Sequence, residues 1–186
     1  HRYARGHLFP MYSARTSLHN QIAAKLGGMT EDDLANLDLF QNRVVRLANF
    51  ASERNTYLYV DAEQTFIQAA IESFGQQMTH VLNVGEKVVI MNGYQAYLKR
   101  VQSVLPMEVK AAKALGYNLG IKMVRGAYMN EERALAEKTG IQSPVFDDIE
   151  GTHQCFNDSM KHIISQMKPS DKLFLASHNQ DTVTIA

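Results

Sequence analysis

The stretch Tyr117-Asn-Leu-Gly-Ile-Lys-Met-Val-Arg-Gly-Ala-Tyr128 decides how the rest of the chain is read. Leu119, Ile121, Met123 and Val124 have the spacing and bulk of a short buried strand, which breaks at Gly126. Lys122 and Arg125 place two cations in that run, and a core strand normally excludes both. Taking an ammonium or guanidinium out of water without a partner costs several kcal/mol. The partner implied is a bound anion or a polarised cofactor. In a barrel of parallel strands, polar side chains at the carboxyl end of a strand usually belong to a site.

Outward from this strand the chain alternates between the two periodicities. Thr30 followed by Glu31, Asp32 and Asp33 predicts a helix start, and Leu34, Leu37, Val44, Leu47, Ala48 and Ala51 continue it to about residue 54. Tyr57–Val60 is β-rich and ends at Asp61. Phe66, Ile67, Ala70, Ile71, Phe74 and Met78 share one face of a predicted helix over 63–80. Lys87–Met91 predicts the next strand, ending at Asn92 and Gly93. Residues 94–115 then read as a helix that Pro106 should kink or split and Gly116 closes. After the central strand come a short charged helix over 129–139, a loop over 139–144 and a helix over 150–167. Lys172–Ala176 is a fourth strand, ending in Ser177-His178-Asn179. Strand starts near 57, 87, 119 and 172 give spacings of about thirty, thirty and fifty residues, as successive βαβ units require. The fold class is therefore α/β with parallel strands.

Composition narrows the function. The 186 residues are 45% hydrophobic and 20% charged, with 19 basic against 19 acidic side chains. That balance gives no electrostatic footprint for nucleic acid. The single cysteine, Cys155, suits a reducing compartment such as cytosol or mitochondrial matrix and, beside a buried helical face, reads as inert. No apolar run approaches the roughly 20 residues of a spanning helix. Residues 1–30 carry Arg2, Arg5, Arg15 and Lys25 without an acid. They read as an irregular basic arm, with a transit-peptide bias as the competing reading. Residues 31–186 are taken as one α/β segment.

The strand ends bring Asp61 and Glu63, Asn92 and Gln95, Lys122 and Arg125, and His178 and Asn179 to one rim. Ligands sit beyond the carboxyl ends of strands in barrels and in doubly wound sheets alike, so the rim locates a site without choosing between them. No G-x-G-x-x-G turn and no Walker loop occurs. His153 and His162 lie nine apart in one helix and share no metal-binding face, so no metal is expected.

Val60-Asp-Ala-Glu-Gln64, Tyr94-Gln-Ala-Tyr-Leu-Lys99, Lys122-Met-Val-Arg-Gly-Ala-Tyr128 and Ala176-Ser-His-Asn-Gln-Asp-Thr182 resemble four consecutive strand-end motifs of the proline dehydrogenase family. The eukaryotic mitochondrial branch, which includes hydroxyproline dehydrogenases, is the nearest match over about residues 31–186. The resemblance implies a distorted (β/α)8 barrel that binds FAD. Proline or hydroxyproline would be oxidised to Δ1-pyrroline-5-carboxylate or its hydroxy analogue, with hydride passing to flavin N5 and electrons to a membrane quinone. It implies the matrix side of the mitochondrial inner membrane for a eukaryotic protein and cytoplasm otherwise, and allows peripheral membrane association.

Residue by residue, the resemblance implies that Gln95 hydrogen-bonds the isoalloxazine ring and that Lys122 sits beside N5, where many bacterial members carry arginine. Arg125 with the Gly126-Ala127 backbone would line the ribityl and pyrophosphate side. Tyr128 would border the substrate pocket, and Asp61 would orient the cationic groups that hold the substrate. His178 and Asn179 would touch the flavin, and Thr152 lies where the family contacts the adenosine end. The family's paired arginines on the last helix and lysine on the first strand have no counterpart here, so the sequence reads as part of a longer barrel.

Each assignment has a plainer competitor. Asp61 could cap a helix starting at Ala62. Gln95 could be an exposed first-turn residue. Lys122 and Arg125 could form an ion-pair network with Asp61 and Glu63. His178-Asn179 could be an ordinary strand-to-helix turn, and Tyr128 a core aromatic. Two other functions stay open: a Schiff-base lyase using Lys122, and a non-catalytic barrel segment needing a complementary chain.

Overall fold

The computed structural model of the chain describes residues 30–186. The basic arm expected over 1–30 therefore lies, apart from Thr30, outside the described residues. The chain divides into two compact units at Thr56 and Tyr57. In the first, the Asp33 amide donates to the Thr30 hydroxyl at 3.1 Å and the Thr30 amide donates to the Asp33 carboxylate at 2.8 Å. This reciprocal cap starts helix α1 (Glu31–Glu53). The same bonds hold the Asp33 carboxyl below its ordinary range. Ala48 and Ala51 are buried as the periodicity predicts, whereas Leu47 is exposed.

The second unit runs β1 (Leu58–Val60), α2 (Thr65–Leu82), β2 (Ile90–Gln95), α3 (Val101–Leu115), β3 (Gly120–Val124), α4 (Met129–Thr139), α5 (Ile149–Gln166), β4 (Lys172–Leu175) and α6 (Gln180–Ile185). The four strands pair in parallel throughout and the sheet order is β1-β2-β3-β4. A right-handed crossover that always advances in the same direction puts every connecting helix on the same face. Doubly wound sheets reverse direction and use both faces. The observed order is the singly wound one, which is the arrangement of a (β/α)8 barrel.

Strand side chains alternate accordingly. Ile121 and Met123 turn toward the helices and join Leu105, Val109, Phe156, Met160 and Ile163 in the core. Lys122 and Val124 point the other way. The predicted strand over 87–91 and helix over 94–115 require correction. β2 occupies Ile90–Gln95 and α3 begins at Val101. Tyr94 and Gln95 pair in register with Met123 and Val124, and Tyr97 N donates to Arg125 O at 2.7 Å, which carries the ladder past the strand. Tyr97, Leu98 and Val101 are buried, and their spacing imitated a helical face. Pro106 lies inside α3 without splitting it, since only the bond to the Gln102 carbonyl is forfeited.

The amino-terminal edge of the sheet is fixed by polar side chains. Asn83, fully buried, accepts from the amides of Val89 and Ile90 at 2.8 Å each and donates to Ile90 O at 2.9 Å and Asn118 O at 3.2 Å. Asp171 accepts from Leu119 N at 2.8 Å. Gly120 faces Ile90 O so closely that a Cβ there would stand 2.0 Å from it. Between α2 and α3, Glu108 accepts from Gln76 at 2.9 Å and Tyr117 at 3.0 Å in a buried setting that raises its carboxyl above the usual value. The folded state thus holds the Glu108 proton more tightly than the unfolded chain does. Its stabilising contribution is present below the ordinary glutamate value and is lost as pH rises through the raised folded value. Denaturation midpoints should therefore shift in favour of Glu108→Gln over the native protein as pH rises from acid to neutral; a constant difference would contradict the assignment.

Candidate active site

An open cavity of about 420 Å³ lies at the carboxyl ends of the strands. β1 contributes Asp61, Ala62 and Glu63 from its following loop, and β2 contributes Gly93 and Gln95. β3 contributes Lys122, Val124 and the run Arg125-Gly126-Ala127-Tyr128, and β4 contributes Ala176. The volume falls in the range of small-molecule clefts.

Lys122 Nζ donates to Asp61 Oδ1 at 2.6 Å and stands 5.6 Å from the Tyr59 ring centroid. The Lys122 side chain is 20% exposed and that of Asp61 62%. Asp61 does not cap a helix, because α2 starts four residues later at Thr65. Arg125 takes no part in that ion pair. Its Nε donates to His153 Nδ1 at 2.9 Å, Nη1 to Ser177 Oγ at 2.6 Å and Nη2 to Thr182 Oγ1 at 2.8 Å. The guanidinium carbon lies 4.5 Å from the Phe156 ring centroid. Partial burial draws the Arg125 pKa down, and among the described residues no carboxylate is paired with it.

Gln95 is a buried strand residue rather than an exposed helical one. Its Nε2 donates to Glu63 O at 2.8 Å and its Oε1 accepts from Ala127 N at 3.2 Å, so one amide ties the β1 and β3 loops together. One N–H and one oxygen lone pair remain for a ligand. Tyr128 donates its hydroxyl to the Glu63 carboxylate, and that bond, followed by burial, raises its phenol pKa. Burial pushes Tyr97, packed beneath Gly126, up to about 12.

Four residues named from sequence do not line the cavity. His178 is exposed, Asn179 accepts from Thr182 N at 2.8 Å as the cap of α6, and Thr152 is buried within α5. Asn92 turns to the helix side and donates to Thr79 Oγ1 at 2.9 Å. Sequence reasoning missed Glu132. Buried on α4, it accepts from Thr65 N and Thr65 Oγ1, both at 2.6 Å, and so caps α2 from another element. The only local signal was a threonine at a helix start. Glu132→Ala should reduce stability by about 2 kcal/mol, the loss of a charged cap, as read from chemical denaturation. An unchanged midpoint would show that the cap contributes nothing. Among the described residues no three His, Cys, Asp or Glu side chains gather as a metal site, and no helix is long and apolar enough to cross a membrane.

Comparison with known proteins bears on the family and the fold. The family model for proline dehydrogenase matches residues 6–186. A Caenorhabditis elegans protein named proline dehydrogenase 1, mitochondrial, is 32% identical over 185 residues, covering 97% of this chain and 29% of that protein. Its Homo sapiens namesake is 35% identical over 168 residues, covering 89% and 28%. A Xenopus laevis hydroxyproline dehydrogenase is 34% identical over 158 residues, covering 83% and 34%. The chain thus spans about a third or less of the length of these relatives. A crystal structure of proline utilization A from Bdellovibrio bacteriovorus shares the fold with a TM-score of 0.73 at 19% identity, over 80% of this chain and 15% of that one. On the family match and the ordered set of strand-end motifs, the chain belongs to the proline dehydrogenase family.

Proposed function

We propose that this chain forms the cofactor-facing strand ends of a FAD-dependent enzyme that oxidises L-proline or hydroxyproline to Δ1-pyrroline-5-carboxylate or its hydroxy analogue. The relatives' names support both substrates and a mitochondrial setting. A membrane quinone is the proposed electron acceptor. The observation that carries the reading is the convergence of Lys122, Gln95 and the Arg125-Gly126-Ala127 turn on one cavity. The donor set fits a flavin nucleotide. Arg125 keeps a charge that no carboxylate among the described residues cancels, and Gln95 retains one N–H and one lone pair.

A bound flavin would supply the hydride acceptor. Lys122 would hold a fixed positive charge beside the group that accepts the hydride, and a pre-aimed charge of this kind stabilises negative charge as it develops. Asp61 anchors that ammonium at 2.6 Å. Arg125 and the Gly126-Ala127 backbone receive the ribityl and phosphate side. Tyr128, held by Glu63, borders the substrate. Roles at the nucleotide's periphery for His178, Asn179 and Thr152 belong to the same proposal. The Asp61–Lys122 pair works against the Schiff-base alternative, which needs Nζ as a free nucleophile. The full-length protein should retain FAD through desalting and show proline-dependent reduction of a soluble quinone. A colourless protein that traps substrate on Lys122 under borohydride would overturn the proposal.

A further inference from the structure

Arg125 is gripped from one side of α5. His153, Phe156 and Asn157 stand at i, i+3 and i+4, so they share a helix face, and all three take part in the same cage. His153 accepts from Nε, the Phe156 ring lies under the guanidinium, and Asn157 Oδ1 accepts the Thr182 hydroxyl at 2.7 Å. That last bond uses the Thr182 proton and turns a lone pair of Oγ1 toward Nη2. Ser177 completes the set from the end of β4. A guanidinium only donates, so the imidazole must present a bare Nδ1 and carry its proton on Nε2.

The three acceptors are not equivalent. Nη1 and Nη2 each carry two hydrogens and keep one free after bonding to Ser177 and Thr182, whereas Nε carries a single hydrogen and His153 is its partner. The Nε bond thus holds the stem side of the guanidinium, while Phe156 and the two hydroxyls hold its face and far edge. Because every acceptor is neutral, the charge stays available to a ligand in the cavity.

We infer that His153 is a positioning residue: as the Nε2–H tautomer it orients Arg125 toward the anionic portion of the ligand in the strand-end cavity. The inference rests on the reading of that cavity as the flavin nucleotide's. It is tested on the full-length protein with FAD and riboflavin as probes, followed by fluorescence titration. His153→Leu should weaken FAD by about tenfold, the loss of one hydrogen bond to a charged group, while leaving riboflavin unchanged. His153→Asn, which keeps a neutral acceptor near the Nδ1 position, should restore FAD binding to about native affinity. Equal FAD affinity for the leucine variant, or equal weakening of both probes, would overturn the assignment. Nitrogen NMR of the ligand-free protein gives an independent reading that needs no cofactor. Nδ1 of His153 should be unprotonated and the Arg125 Nε–H slow to exchange in the native protein, and fast in the leucine variant. A protonated Nδ1 would refute the inference. Failure of the native protein to bind FAD would instead remove the flavin reading and leave the NMR result to decide on His153.

Discussion

Lys122→Met should slow anaerobic reduction of the enzyme by proline about a hundredfold, corresponding to about 3 kcal/mol of lost transition-state stabilisation. Methionine keeps the length and apolar stem of lysine, so the strand and its packing stay intact while the charge disappears. The ammonium donates to Asp61 and projects from the cavity face of β3, with core residues Ile121 and Met123 on the opposite face. Lys122→Arg, which preserves a cation at the strand end, should lose no more than about tenfold. Rapid-mixing traces of the two variants distinguish a charge effect from a packing effect. A methionine variant that reduces as fast as the native protein would remove Lys122 from the chemistry.

Gly126→Ala should destabilise the fold by about 4 kcal/mol, the sum of backbone strain and overpacking. Gly126 has φ +137, a region that side-chain-bearing residues rarely adopt, and a Cβ there would stand 1.6 Å from Tyr97 Cδ1. Tyr97 is buried, and its amide is bonded to Arg125 O at 2.7 Å, so the ring cannot simply withdraw. Relief requires moving the Arg125–Tyr128 turn, which would also release the Ala127 amide from Gln95. Urea denaturation of the full-length protein measures the loss. A change below about 1 kcal/mol would mean that the turn is pliable.

The fold was legible because its signal is local. Apolar alternation, helix caps and strand spacing are properties of neighbouring residues, and they gave the α/β order with parallel strands. The boundary of β2 was not legible, because Tyr97, Leu98 and Val101 are buried at helical spacing for a different reason: they lie beneath the Gly126 turn and at the start of α3. The site was legible where a charge contradicts its surroundings, as at Lys122 and Arg125 within an apolar run. It was hidden where partners are distant in sequence. The three acceptors of Arg125 lie 28, 52 and 57 residues away, and Glu132 reaches Thr65 across 67. Gln95 is intermediate. The resemblance singled it out, yet its bridging of two loops depends on the strand register, which no local pattern reveals.

The most direct measurement is a crystal structure of the full-length protein grown with FAD. The isoalloxazine ring is expected over the strand ends, with Lys122 Nζ and the Gln95 amide against it and Arg125 on the phosphate side. A nucleotide bound elsewhere, with Lys122 and Gln95 still facing open solvent, would contradict the shared rim on which the functional proposal depends.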